Sequence, residues 1–289
     1  MKLLTYQTPD GPRAAALAGR LAFDLQTLDP DLPTDLNDFL KLGPQGIERA
    51  ELGLANQREP AIPVEQITYL PPILAPSKIL CVGVNYADHA PETGKEVPNK
   101  PIIFNKLSGV LSSHNADILL PRVSEKVDYE AELVVVIGKE GRYIDEENAM
   151  DYVAGYTCGN DVSVRDWQLE NPGGQWLLGK SFDTTGPIGP WIVTPDELTD
   201  PHKLGVRSIL NGETMQNSNT SQFIFPIPRL IAFISQVTTL LPGDLIFTGT
   251  PSGVGMARKP PVFLKEGDLI EVEIEGIGTL QNRVVADSN

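Results

Sequence analysis

The chain has 289 residues, room for one large domain or one with a smaller companion. Its 23 basic against 38 acidic side chains leave a formal charge of −15, and a surface that negative repels phosphate backbones and anionic headgroups, which argues against nucleic-acid and membrane partners. With 26 Gly and 25 Pro beside an ordinary apolar content, the composition predicts many turns between short strands.

The opening MKLLTYQTPDG turns polar too early for a secretory leader, and no apolar run approaches the roughly 18 residues a membrane helix needs, so a cytoplasmic protein is expected. Residues 1–70 read as a small N-terminal domain, with the acidic, loop-rich DLQTLDPDLPTDLNDFL followed by a helix near GIERAELGLANQ. The prolyl segment PPILAPSKI cannot continue a helix or lie in a central strand. It marks the boundary, with the main domain over 71–289.

Beyond it, KILCVGVNY, AELVVVIG, YVAGYTCG, GPWIVT, DLIFTG and LIEVEIEGIG alternate or run apolar between turn residues, which is the strand pattern. PRLIAFISQVTTLL predicts one amphipathic helix, with Leu230, Phe233, Ile234 and Val237 at helical spacing. The string GDLI at 243–246 and again at 267–270 predicts two tight turns entering strands rather than a repeat. Cys81 and Cys158, far apart and with neither a redox nor a zinc spacing, are expected to be buried free thiols.

The chemistry starts in VDYEAELVVVIGK. Residues two apart on a strand share a face, so Glu130 and Glu132 project side by side with Val134 and Val136 behind them. Two such carboxylates are costly to desolvate unless a positive charge sits between them. Alone, an E-x-E is more often a solvated strand end. GYTCGNDVSVRDWQ adds a third acid: read as a strand running into a short helix with Asp161 near its N-cap, it puts Asp161, Arg165 and Gln168 on one helix face. Three carboxylates without cysteine describe a hard-cation site, Mg²⁺, Mn²⁺ or Ca²⁺ in preference to zinc, with coordination positions left open for a substrate.

Three further segments contribute weaker signals. In GVNYADHAPETGKE, His89 and Glu92 lie three apart, so the carboxylate can orient the imidazole as a base for water, with Pro91 tolerable only in a first helical turn. WLLGKSFDTTGPIGPW places Lys180 between an apolar stretch and a turn, as an ammonium near buried surface that needs an anion, or equally as a strand-end lysine reaching solvent. FTGTPSGVG is a glycine-rich turn able to offer backbone N–H groups and the Thr250 hydroxyl to an anion, though it lacks the lysine of a phosphate loop.

Taken in order, KILCVGVNYADHAPE, PIIFNKLSGVL, VDYEAELVVVIGK, YTCGNDVSVRDWQ, GKSFDTTGPIGPW, LNGETMQ, LLPGDLIFTGTPSGVG and FLKEGDLIEVEIEGIG resemble the fumarylacetoacetate hydrolase family across roughly residues 76–285. The resemblance implies an α+β, predominantly β fold: a mixed, rolled β-sheet, joined here to a small N-terminal α/β domain, often as a homodimer, with a divalent ion at the mouth. It implies Glu130, Glu132 and Asp161 as metal ligands, His89 and Glu92 as the water-activating pair, and Lys180 as the lysine that stabilises the intermediate. Arg165, Gln168 and Thr250 look like substrate contacts by the same resemblance. Thr185 falls where a bulkier residue is expected, which leaves the pocket wall open.

The activity so implied is a Mg²⁺-dependent hydrolysis of a carbon–carbon bond in a small 2,4-dioxo acid, an acylpyruvate or fumarylpyruvate, as in aromatic catabolism. The same enolate chemistry serves a 2-hydroxyhepta-2,4-diene-1,7-dioate isomerase or an oxaloacetate decarboxylase. A non-catalytic, metal-stabilised scaffold is the alternative from another class.

Overall fold

The computed structural model describes residues 1–56, 61–88, 97–198 and 200–288. A large mixed sheet organises the molecule. Its main path runs Ile62–Pro63, Leu21–Asp24, Gly11–Ala18, Lys2–Thr8, Gly186–Val193, Val153–Asn160, Ala131–Ile137, Leu245–Phe247, Ile79–Gly83 and Ile102–Asn105. Neighbours on this path are antiparallel except Leu245–Phe247 against Ile79–Gly83. A second sheet stacks Glu213–Asn219, Gly205–Leu210, Leu269–Ile274, Gly278–Ala286 and Ile118–Leu120 in that order. The mixed sheets and the predominance of strand agree with the fold class expected from the sequence.

The large sheet crosses the boundary drawn near residue 70. Lys2 and Leu3 pair with Val193 and Ile192, and Met1, Leu3 and Phe39 share one apolar cluster with Val134, Ile188 and Phe247. The helix expected near residue 47 spans Pro44–Asn56. The amphipathic helix spans Ile227–Ser235, burying Ile227, Leu230, Ile231 and Ile234. It ends two residues before Val237, which is 78% exposed and lies on no apolar face, a correction to the spacing argument: Gln236 caps the helix before that position is reached. Both GDLI strings are tight turns, with Gly243 and Gly267 at φ of +84° and +89°.

Every residue of Ala131–Ile137 is buried, as a strand covered on both faces must be. Ala131, Leu133, Val135 and Ile137 point into the cluster that holds the Ile227–Ser235 helix, while Val134 and Val136 point into the cluster with the N-terminal residues. Each of these valine, leucine and isoleucine side chains contributes about 1.5–3 kcal/mol on full burial. That packing fixes the register, and the register fixes the acids.

Cys81 and Cys158 are both free and buried. Burial pushes the Cys158 thiol up to about 12, and burial followed by the nearby Asp161 carboxylate raises Cys81 well above its usual range. Neither thiol is expected to react with an aromatic disulfide reagent in the native protein at mildly alkaline pH, and both should react once denaturant is added. Absorbance of the released thiolate checks this; fast native labelling would contradict the packing described.

Candidate active site and carboxylate cluster

The antiparallel pairing of Ala131 with Asn160 and Glu132 with Gly159 brings the chain just before one strand beside the chain just after the other. The Asp161 N–H donates to the Glu130 carbonyl at 2.9 Å, and the Glu130 N–H donates to Asn160 Oδ1 at 2.9 Å. Glu130, Glu132 and Asp161 are thereby gathered with ligand oxygens all within 4.8 Å of one another, and all three are buried. Glu132 shares its face with Val134 and Val136, as strand alternation requires.

Three cations meet these acids. Lys180 Nζ donates to Glu130 Oε2 at 2.7 Å and to Asp161 Oδ2 at 2.6 Å, and Lys106 Nζ donates to Asp161 Oδ1 at 2.6 Å. Arg165 Nη1 lies 2.8 Å from Glu130 Oε1 and donates to Gln168 Oε1 at 2.9 Å, while Arg165 Nε donates to Asp128 Oδ2 at 2.8 Å. Burial pulls the Lys180 ammonium pKa down, but Asp161 and Glu130 more than offset it and leave it raised, so the charge is held. Glu132 is different. Among the described residues it has no ion-pair partner; its Oε2 accepts the Gly249 N–H at 2.7 Å. Burial, then Asp161 and Glu130, raise its carboxyl well above the usual range.

Counting Asp128, the buried network holds four carboxylates against three cations, and the acid left over sits in the triad. Two oxygens bound to one hard cation at about 2.0–2.6 Å each stand no more than about 5 Å apart, which the observed 4.8 Å satisfies. Each carboxylate oxygen that accepts a hydrogen bond keeps a second lone pair. Glu130, Glu132 and Asp161 therefore fit Mg²⁺, Mn²⁺ or Ca²⁺, in agreement with an all-oxygen donor set.

A cavity of about 290 Å³ opens on this cluster. Its polar lining is formed by Glu130, Glu132, Arg165, Gln168, Lys180 and Thr250, so seven of the nine residues singled out in the sequence, counting Asp161 beside Glu130 and Glu132, converge on one place. His89 and Glu92 lie outside the described residues. Asp161 is not a helix cap: the helix is Arg165–Leu169 with Val164 before it, because Ser163–Val164 first pairs with Val127–Asp128. Arg165 and Gln168 do share a helix face, three residues apart. The Thr250 hydroxyl is engaged within the protein, donating to the Ala131 carbonyl at 3.0 Å and accepting from Gln216 Nε2 at 2.8 Å. Thr185 does not line the cavity; its hydroxyl donates to the Phe182 carbonyl.

Sequence reasoning missed Lys106, Asp128 and Gln216. Asp128 had a signal, since it continues the alternation of Glu130 and Glu132 on one face. Lys106, like Lys180, is a lone lysine after an apolar run. Nothing in the sequence marks Gln216, which braces the strand start through Ala131 N and the 250 turn through Thr250 and Pro251. Gly179 allows Lys180 its place: a Cβ there would come within 2.3 Å of the Gln168 backbone nitrogen.

A mixed β-sheet that concentrates buried acids and a trapped ammonium beside a small cavity marks a small-molecule enzyme whose three grouped carboxylates could hold a metal ion. Within that class, the chain belongs to the fumarylacetoacetate hydrolase family: residues 78–285 match the domain described as Fumarylacetoacetate (FAA) hydrolase C-terminal. It is 48% identical to the oxaloacetate tautomerase Fahd2a, mitochondrial, of Rattus norvegicus, over 99% of this chain and 92% of that one. Among solved structures it resembles a putative HpcE protein from Mycobacterium smegmatis, with a TM-score of 0.89, 38% identity and all of both chains covered. It also resembles maleylpyruvate hydrolase from Sphingobium sp. SYK-6 in complex with manganese(II) ion and pyruvate, with a TM-score of 0.82, 32% identity and 99% of each chain covered.

One expectation is overturned here. The sequence pattern points to a cytoplasmic protein, whereas the similar tautomerases from rat, cattle and human are named mitochondrial. The reading failed because the opening residues report structure, not compartment: Lys2–Thr8 is an internal strand of the large sheet. No helix among the described residues is long and apolar enough to cross a membrane.

Proposed function

We propose that this protein is a divalent-cation-dependent tautomerase that interconverts the keto and enol forms of a short 2-oxo dicarboxylic acid of the oxaloacetate type. The observation that carries the reading is the near full-length likeness to oxaloacetate tautomerases in a chain whose triad of buried carboxylates opens on a cavity of about 290 Å³. By the names of its relatives, a mitochondrial setting fits better than a cytoplasmic one.

When bound by Glu130, Glu132 and Asp161, the cation supplies Lewis-acid polarisation of the substrate's carboxylate and 2-oxo group, worth several kcal/mol of charge stabilisation. Lys180, fixed as an ammonium by Glu130 and Asp161, faces the negative charge that develops on the 2-oxo oxygen as the C3 proton leaves. Gln168, whose Oε1 is taken by Arg165, retains its Nε2 as a donor for a substrate carboxylate. Arg165 acts through Glu130 and Gln168, which it orients. Thr250 shapes the cavity beside them. By the family resemblance, His89 and Glu92 are the pair assigned to take the C3 proton and return it to oxygen.

A second reading, hydrolysis of a 2,4-dioxo acid, draws on the likeness to maleylpyruvate hydrolase; there the same pair would deprotonate water. Among the described residues no histidine serves that role. His114 is pushed down to about 4 by burial and accepts the Gln281 N–H, and His202 packs on Asp200 and Ile227.

Hydrogen–deuterium exchange at C3 of oxaloacetate, followed by NMR with Mg²⁺ and with a chelator, tests the proposal. Catalysed exchange that the chelator abolishes is expected, and Lys180→Met should lower kcat/KM about 10²–10³-fold, as loss of one preorganised donor does. Cleavage of maleylpyruvate or an acylpyruvate without exchange of oxaloacetate would replace the tautomerase by a hydrolase; loss of CO₂ without exchange would make it a decarboxylase; inertness toward all of them would leave a scaffold.

A further inference from the structure

Beside its charged groups the cavity has an apolar lining that includes Val82, Val84, Phe104, Trp176 and Val254, and Trp176 is the bulkiest side chain in it. Trp176 stands on the segment between the Arg165–Leu169 helix and the turn that carries Lys180, and lines the cavity with Phe104, Gly83 and Val84. Its ring meets Phe104 edge-on, centroids 5.3 Å apart at 70°, a favoured aromatic geometry. The Lys180 ammonium lies 5.2 Å over that same Phe104 ring. On its other side the indole packs on the bare backbone of Gly83, where a Cβ would come within 2.6 Å of it. Trp176 is thus seated by Phe104 and Gly83 and connected through Phe104 to the Lys180 ammonium.

The cavity, about 290 Å³, is at the small limit of ligand sites, which run from about 300 to 1,000 Å³. In a hydrophobic pocket one surplus methylene changes selectivity by about 10–200-fold, so a bulky apolar residue in the lining limits the chain length that the cavity accepts. We propose that Trp176, seated on Gly83, is the specificity-determining wall that limits the substrate beyond its reacting carbons and separates four-carbon 2-oxo diacids from their longer homologues. This rests on the tautomerase reading for the substrate class. The wall itself follows from the packing of Trp176, Phe104 and Gly83.

The test compares kcat/KM for C3 exchange of oxaloacetate and of 2-oxoadipate in the Mg²⁺-loaded protein. Trp176→Ala is expected to shift the ratio toward 2-oxoadipate by about tenfold or more, and Trp176→Phe, which keeps a ring on Gly83 and preserves folding, should shift it the same way by a smaller factor. An unchanged ratio in both variants would overturn the wall. Should the wild type fail to exchange oxaloacetate, the tautomerase reading falls by itself, and the wall is read from calorimetric affinities for oxamate and N-butyl oxamate with Mg²⁺. Trp176→Ala should then favour the butyl compound by about tenfold or more over the wild type; equal preference in the two proteins would overturn the proposal.

Discussion

Glu132→Gln is expected to leave the cation-free protein at least as stable as the wild type, yet to lower turnover about a thousandfold, equivalent to losing several kcal/mol of charge stabilisation. The two effects separate because of how the triad is held. Glu130 is engaged by Lys180 and Arg165, and Asp161 by Lys180 and Lys106, so neutralising either acid strands a buried cation. Among the described residues Glu132 strands none. The hydrogen bond it accepts from the Gly249 N–H can be kept by the amide oxygen of glutamine, and the substitution removes a negative charge that faces two others. Melting curves with chelator and with rising Mg²⁺ read both halves. A saturating ligand at a hundred times its Kd stabilises by about 2.7 kcal/mol; the wild type should gain on that order and Glu132→Gln little or nothing. A cation-free variant that melts well below the wild type, or one that keeps the full Mg²⁺ shift, would contradict the role assigned to Glu132.

That asymmetry also shows what could be read in the chain and what could not. Strand alternation put Glu132 on the face of Val134 and Val136, because the period of two in AELVVVIG is short, local and enforced by complete burial, and the same alternation carried one residue before the strand put Glu130 beside it. The convergence of Asp161 on that pair is a long-range consequence of pairing Ala131 with Asn160, invisible to any window of sequence; only the shared chemistry of the three acids, and then the family resemblance, grouped them. Local reasoning then misplaced Asp161 on a helix, because Ser163–Val164 forms a two-residue strand pair first. Lys180 was legible as a lysine in need of an anion. Its partners were not, since they lie 50 and 19 residues away. The Val237 error has the same origin: periodicity continues past the point where the backbone leaves the helix.

Asp128→Asn is expected to cost about 3–5 kcal/mol of stability, the usual result of breaking a buried ion pair from one side. Asp128 is fully buried and its two oxygens gather more of the site than any single ligand does. Oδ1 accepts the N–H groups of Tyr129 and Gly255, and Oδ2 accepts Met256 N–H and Arg165 Nε. One side chain thus ties the strand that bears the triad to the 255 turn and to the guanidinium behind Glu130. Asparagine can satisfy part of the hydrogen bonding but none of the charge, and Arg165, which burial disfavours and Asp128 and Glu130 hold charged, is left with Glu130 alone. Glu130 would then be drawn toward the guanidinium and away from the cation site, so Mg²⁺ affinity should fall together with stability. Adding Arg165→Met to Asp128→Asn separates charge from packing: removing both partners of a buried pair is often close to neutral, so the double variant should recover much of the lost stability. Urea unfolding with an unchanged m-value reads this as a shift in midpoint. A double variant no more stable than Asp128→Asn would mean that Asp128 holds the site through its backbone contacts to residues 129, 255 and 256 rather than through Arg165.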